Sequence, residues 1–315
     1  MRAGLAPAVT GARVASVTVY DERSLRRHDG PSEDFIDRLT GRTMLEPRRR
    51  GKFLWIPLAP LLPLVEPVET DGPDEPPETV GPSRTSGAEH VAEALVVHLG
   101  MSGQVLLRDR TADDALTRIR LELDHPTAGE LRLNFVDQRI FGSMAIDVLV
   151  PTADNPGELV PSQVVHIARD PVDEHFDDRG FIARLRAKNT TIKRAMLDQT
   201  LVSGIGNIYA DESLWGAKIH YEQPTATLSP AKAKLLLAEV RAVLAQALAE
   251  GGTSFDAQYL NVNGQSGYFA HSLKVYGQQG KACPRCGREV VREQFMNRGS
   301  HFCPYCQRLR IQSTS

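Results

Sequence analysis

The 315-residue sequence contains no stretch long and apolar enough to span a bilayer, which excludes a helical membrane protein. Its opening, Met1 to Ser16, lacks a basic segment followed by an apolar run, so the chain is expected to work in the cytoplasm. No internal repeat recurs along it, which sets aside solenoids and other arrays. Net charge is scarce too: 37 Lys and Arg stand against 39 Asp and Glu, a formal −2. Cysteine is scarcer still, with four in the chain and none before Cys283.

Those four form two C-x-x-C pairs, Cys283 with Cys286 and Cys303 with Cys306, separated by 16 residues. Two such knuckles read as one tetrahedral Zn²⁺ site closing a β-ribbon too short to fold by itself. Two disulfides, or a zinc knuckle with no binding partner, are the alternatives. The lack of a secretory signal favours reduced thiols and hence the metal. Arg288, Arg292, Asn297, Arg298 and His301 lie between the pairs. A metal-pinned loop carrying such residues can hold positive charge against phosphates.

The small net charge hides an asymmetry. Pro60 to Glu93 holds eight acids and one base, a local −7, which leaves +5 for the remainder. His271 to Ser315 holds eight Lys and Arg against Glu289 and Glu293, a local +6. The basic end favours a polyanion as partner. The segment Pro60 to Glu93 is rich in proline and acid, and is expected to be a disordered insert.

Length predicts about two domains. Residues 13–20 alternate apolar and polar as a half-buried strand does, and Phe53 to Leu58 reads as a second strand after the basic cluster Arg48-Arg49-Arg50-Gly51-Lys52. Ala94–Leu99, Gln104–Leu107, Arg118–Leu123 and Glu130–Phe135 continue an all-β half. Helices are predicted over Phe181–Lys188, Thr191–Gln199, Asn207–Ala217 and Ser229–Ala249. In the last, Ser229 serves as N-cap, Pro230 fits the first turn and Gly251-Gly252 stops it. The fold class is therefore α+β. Expected divisions are a β domain over 1–150 (insert 60–93), a linker over 151–178, a helical domain over 179–265 and a zinc finger over 266–310.

The segment Leu201-Val-Ser-Gly-Ile-Gly-Asn-Ile-Tyr-Ala-Asp-Glu212 resembles the helix–two-turns–helix of the formamidopyrimidine-DNA glycosylase family. Further blocks agree in order: Arg49-Arg50-Gly51-Lys52-Phe53-Leu54, His98-Leu99-Gly100-Met101-Ser102-Gly103, Asp137-Gln138-Arg139-Ile140-Phe141-Gly142, Gly251-Gly252-Thr253, Gly267-Tyr268-Phe269 and the cysteine ribbon. The resemblance implies an N-terminal β-sandwich and a C-terminal helical domain with a zinc β-ribbon, with damaged double-stranded DNA between them. It implies a monomer that excises oxidised purines and cleaves the strand by β,δ-elimination. It also implies roles. Lys52 matches a lysine that contacts phosphate and moves protons, and Arg298 matches the zinc-finger arginine that grips phosphates beside the lesion. Met101, Arg139 and Phe141 match residues that fill the void left by an extruded base. Lys188 and Lys193 match lysines of the DNA-facing side, and Asn207 is placed to offer amide groups to a phosphate. Without the resemblance, Met101 and Phe141 read as core residues and the lysines as solvated charge.

Some family features are missing from the sequence. The family attacks the sugar C1′ with an N-terminal proline amine followed by a glutamate. Here Met1-Arg2-Ala3-Gly4-Leu5 aligns with the short helix after that opening. A mis-assigned start and a catalytically incomplete zinc-dependent binder of damaged DNA are the two readings. Leu116 stands where many members carry histidine, and Gln265 where some carry lysine. The Gly267-Tyr268-Phe269 loop favours purine lesions over the oxidised pyrimidines of the sister group.

Overall fold

A computed structural model describes residues 2–60, 92–111, 113–250 and 269–310. The core of the insert, residues 61–91, and the Gly251-Gly252-Thr253 and Gly267-Tyr268 motifs lie outside the described residues, as does Gln265.

The first domain runs α1 (Arg2–Val9), β1 (Arg13–Val19), α2 (Ser32–Leu39), β2 (Arg48–Arg50), β3 (Phe53–Pro57), β4 (Glu93–His98), β5 (Gln104–Arg108), β6 (Thr117–His125), β7 (Gly129–Val136), β8 (Ser143–Pro151) and β9 (Leu159–Pro161). Two antiparallel sheets form, ordered β1-β6-β7-β5 and β2-β3-β4-β8-β9. Alternation decides which face is buried: along β6, Ile119, Leu121 and Leu123 point inward while the residues between them stay part-exposed. They meet Leu54, Ile56, Leu95 and Val97 of the other sheet in one core, which α1 caps with Leu5 and Val9 and α2 with Phe35 and Leu39. The two α2 residues are four apart and so share one helix face.

β3 is apolar at every position because both its faces are covered. Leu54 and Ile56 face the sandwich core, whereas Phe53 and Trp55 pack outward against Val160, Val164 and Ile167. This corrects the expected 151–178 linker: its first part is edge strand β9, paired with β8. Three prolines, at 151, 156 and 161, mask it in the sequence, and proline is tolerated at a sheet edge. The insert boundary also shifts. Glu93 opens β4, and its carboxylate pairs with Arg38 (2.7 Å) and Arg42 (2.9 Å).

The second domain contains α3 (Asp178–Ala187), α4 (Ile192–Met196), α5 (Asn207–Gly216), α6 (Pro230–Ala249) and the ribbon β10 (Val291–Phe295) and β11 (Arg298–Phe302). Ser229 caps α6, its hydroxyl accepting the Lys232 N–H at 3.2 Å. α4 is shorter than the predicted 191–199, because the Asp198 carboxylate accepts the Thr200 N–H (2.9 Å) and closes a turn. Phe295 and Phe302 of the ribbon are buried among Leu201, Tyr221 and Leu236, so the ribbon rests on the helical core.

Candidate nucleic-acid interface

The β2–β3 turn brings Gly51 and Lys52 to the junction of the two domains. The Gly51 N–H donates to the buried Asp170 carboxylate (3.1 Å), which also pairs with Arg49 (3.3 Å). The turn is thereby tied to the segment leading into the helical domain. Lys52 is exposed, and its carbonyl accepts the Leu99 N–H (3.4 Å), which ties the turn to the loop that carries Met101. Desolvation first, then the Arg298 charge, holds its pKa below the ordinary lysine value. His98 lies opposite Phe53 in register, the two rings tilted at 54° with centroids 4.7 Å apart, and its pKa is pushed down to about 4. Burial is the main cause, followed by Arg27, Lys52 and Arg26. The imidazole is therefore neutral at physiological pH and adds no charge beside Lys52.

Two loops of the sandwich project near this turn. Met101 is 59 % exposed and Phe141 48 %, and Arg139 is exposed as well. Neither apolar side chain belongs to the core, which sets aside the bland reading of both. A buried carboxylate braces the two loops together. Asp137 accepts from the Ser102 hydroxyl in the first loop, and from the N–H groups of Arg139 (3.1 Å) and Gly142 (2.6 Å) in the second. The loops touch where only glycine fits: Gly100 has φ +59°, and a Cβ there would lie 2.5 Å from the Phe141 carbonyl carbon. Arg26 adds a further brace, donating to the carbonyls of Ile140 and Phe141.

On the other side of the junction, Arg298 opens β11 and its side chain is exposed. The next carbonyl, Gly299 O, accepts from Asn207 Nδ2 (3.0 Å) and Lys193 Nζ (3.3 Å). The Asn207 amide is thus committed inward, although α5 begins at this residue. Lys193 does not sit on a DNA-facing surface as expected. It is fully buried and ion-paired with Asp211 at 2.6 Å. The Asp211 carboxylate also accepts from Ser300 Oγ (3.2 Å) and the His301 N–H (2.8 Å), so His301 is buried rather than turned outward. Lys188 is part-exposed and paired with Asp198 (2.6 Å).

Beyond the open end of the ribbon, the Sγ atoms of Cys283, Cys286, Cys303 and Cys306 all lie within 4.8 Å of one another, and no disulfide joins them. Sulfurs at about 2.3 Å from a central tetrahedral Zn²⁺ are a little under 4 Å apart, so the four thiols fit one zinc ion.

Three family models match in order. The formamidopyrimidine-DNA glycosylase N-terminal domain matches residues 1–144 and the H2TH domain of the same glycosylase matches 167–258, while a zinc finger found in FPG and IleRS matches 280–309. A formamidopyrimidine-DNA glycosylase of Leifsonia xyli subsp. xyli is 56 % identical, the match covering 98 % of this chain and 97 % of that protein.

This chain belongs to the formamidopyrimidine-DNA glycosylase family.

The Nocardia farcinica enzyme of that name is 50 % identical, with 98 % of this chain and 95 % of the relative covered. Among solved structures, the Lactococcus lactis Fpg bound to abasic-site DNA superposes with a TM-score of 0.74 at 28 % identity, covering 98 % of this chain and 96 % of that one. A Lactococcus lactis FPG variant bound to Fapy-dG DNA gives a TM-score of 0.75 at the same identity and coverage. The protein is a DNA glycosylase with the family's sandwich, helix–two-turns–helix and zinc ribbon, and one structural zinc fits its cysteines.

Sequence reasoning missed the acids that hold this glycosylase site together. Asp137 opens the Asp137–Gly142 block and Asp211 and Glu212 close the Leu201–Glu212 block, so the signal lay inside motifs read for their basic and apolar members. Glu212 accepts three successive N–H groups, from Lys274, Val275 and Tyr276, at 2.8–2.9 Å. Burial pushes its pKa up, and those N–H groups oppose the shift. Leu116 is exposed. Its backbone sits at φ 66° and its carbonyl accepts the Asp137 N–H (3.3 Å).

Proposed function

We propose that this glycosylase removes oxidised purines, 8-oxoguanine and formamidopyrimidines, from duplex DNA of the bacterial nucleoid and then nicks the strand. The observation that carries this reading is the convergence of Lys52 and Arg298, from different domains, beside the exposed Met101, Arg139 and Phe141. A base extruded for chemistry leaves a gap costing a few kcal/mol of lost stacking. Two apolar wedges and one guanidinium on braced loops suit that gap. Lys52 and Arg298 hold the phosphates on either side of the turned-out nucleotide.

The family's chemistry supplies the remaining steps. An amine attacks C1′ and displaces the base, and the C1′–O4′ bond then breaks, O4′ taking a proton as the ring opens to an imine. Removal of a C2′ proton from that imine then expels the 3′ phosphate. An amine whose pKa is lowered towards neutrality moves protons more readily than an ordinary lysine, which favours Lys52 for this step. Zinc supplies no chemistry here; its four thiolates would pin the ribbon that carries Arg298.

A duplex with a single 8-oxoguanine tests the proposal, with a thymine-glycol duplex beside it. The expected result is base release and nicking on the first at a rate well above the second. Damaged-DNA binding with neither base release nor nicking would overturn the catalytic part. A faster reaction on thymine glycol would overturn the purine assignment.

A further inference from the structure

A second basic surface lies away from the lesion site. Each ribbon strand is five residues long, so the open end of the ribbon is about 17 Å from the tip that carries Arg298. Arg285, in the first cysteine knuckle, donates to the Trp215 carbonyl (2.8 Å) and lies 4.0 Å over its ring. That places it at the C-terminus of α5, where a cation is favoured by the helix dipole. Lys218 follows that helix end directly and is exposed. Arg310, beyond the second knuckle, is tied in by its backbone, its N–H to Gln223 Oε1 (2.9 Å) and its carbonyl to Gln223 Nε2 (2.8 Å). Gln307 Nε2 donates to the Ile219 carbonyl (2.9 Å), which sets the second knuckle beside Lys218. Lys232 stands in the first turn of α6, where burial first, and then the like charges of Arg310, Lys218 and Arg285, hold its pKa below the ordinary lysine value.

None of these four joins an ion pair among the described residues, and Glu239, which lies against Gly216, pairs with none of them. In the sandwich, Arg108, Arg110, Arg118, Arg120 and Arg132 each meet a carboxylate. Gathering four unneutralised cations opposes folding by mutual repulsion, and an external polyanion removes that cost. Repeating phosphates suit a spread of four cations that an isolated anion does not.

We propose that Lys218, Lys232, Arg285 and Arg310 form a second DNA-binding face, which takes the backbone phosphates of an undamaged duplex while the lesion cleft is occupied. The proposal rests on the DNA-binding reading of the cleft, and its test keeps the two apart. The protein is first saturated with a short lesion duplex and then titrated with a long, labelled, undamaged duplex at several salt concentrations. The variant combines Lys218→Asn, Lys232→Gln and Arg310→Gln, leaving Arg285 in place because it packs on Trp215.

The saturated wild-type protein is expected to capture the long duplex with a slope of log affinity on log salt of about −3.6, or about −0.9 per phosphate contacted. The variant's slope falls to about −0.9, while its zinc content and its affinity for the short lesion duplex stay unchanged. No capture once the cleft is filled overturns the proposal. So does equal capture by the variant, or capture of a poly-glutamate peptide in place of the duplex. Loss of short-duplex binding by the wild-type protein would refute the cleft reading instead.

Discussion

Lys52 at the β2–β3 turn and Arg298 at the start of β11 belong to different domains, yet desolvation first and the Arg298 guanidinium second hold the Lys52 pKa below the ordinary lysine value. The sign of the linkage follows. Between the lowered folded pKa and the ordinary value near ~10.4, the unfolded chain binds the extra proton, so stability rises with pH across that window. Below the folded pKa, the full penalty of holding a charged Lys52 is present. Arg298→Gln removes one cause, so Lys52 should titrate at higher pH and the fold should not lose stability at neutral pH. DNA affinity should fall, with the salt slope reduced by about one unit. NMR titration of Lys52 and salt-dependent DNA binding check this pair of effects. An unchanged Lys52 titration would show that the two charges do not meet.

A buried ion pair underlies the position of Arg298. Lys193 and Asp211 are 0 % and 1 % exposed at the side chain and 2.6 Å apart. Asp211→Ala leaves the ammonium buried and unpaired, which should cost about 3–5 kcal/mol. A paired apolar replacement, Lys193→Met with Asp211→Leu, should recover most of that loss, since no charge is left buried. Urea unfolding of the single and double variants measures the coupling. Simple additivity of the two single losses would mean the pair is not energetically linked.

The sandwich strands were legible because one face of each is buried and alternation marks it, as Ile119, Leu121 and Leu123 do. Long α6 announced itself through its cap and spacing. Short elements did not: α2 has eight residues, β9 three, and β2 consists of three arginines. The residues that the family motifs point to, Lys52, Met101, Arg139, Phe141 and Arg298, all project outward. The braces Asp137, Asp170 and Asp211 were missed, because each acts through partners far away in sequence, such as Ser102 for Asp137 and Gly51 for Asp170. Lys193 was misplaced for the same reason. A lysine's burial is decided by what folds over it, here the ribbon and Asp211.

The wedge loops separate stability from function. Met101→Ala and Phe141→Ala remove exposed side chains, so each should change stability by no more than about 0.5 kcal/mol. Each should slow processing of a lesion in duplex DNA by about tenfold or more, with a much smaller effect on single-stranded substrate, where no stack needs filling. Asp137→Asn should behave differently, since it loosens both loops at their shared brace and harms stability as well as activity. Rates on paired and single-stranded lesions, alongside thermal unfolding, distinguish the cases. Equal losses on both substrates would remove the wedge role.

Zinc removal should detach one function from an otherwise folded protein. Four thiols brought within 4.8 Å of one another need a cation once they ionise, so metal binding and ribbon folding are coupled. The two tryptophans provide separate reporters. Trp215 donates its indole N–H to Cys283 Sγ (3.5 Å), whereas Trp55 is buried in the first domain. Chelation, or Cys286→Ser, should therefore change Trp215 fluorescence while leaving Trp55 in its native environment. DNA affinity should fall further than in Arg298→Gln, because losing the ribbon removes Arg298 together with every other cation of the cysteine-bound segment. Metal analysis should find one zinc per chain before chelation and none after, with affinity restored when zinc is returned. If the chelated protein kept full affinity, or carried disulfides within either cysteine pair as purified, the ribbon would not be a zinc-dependent phosphate clamp.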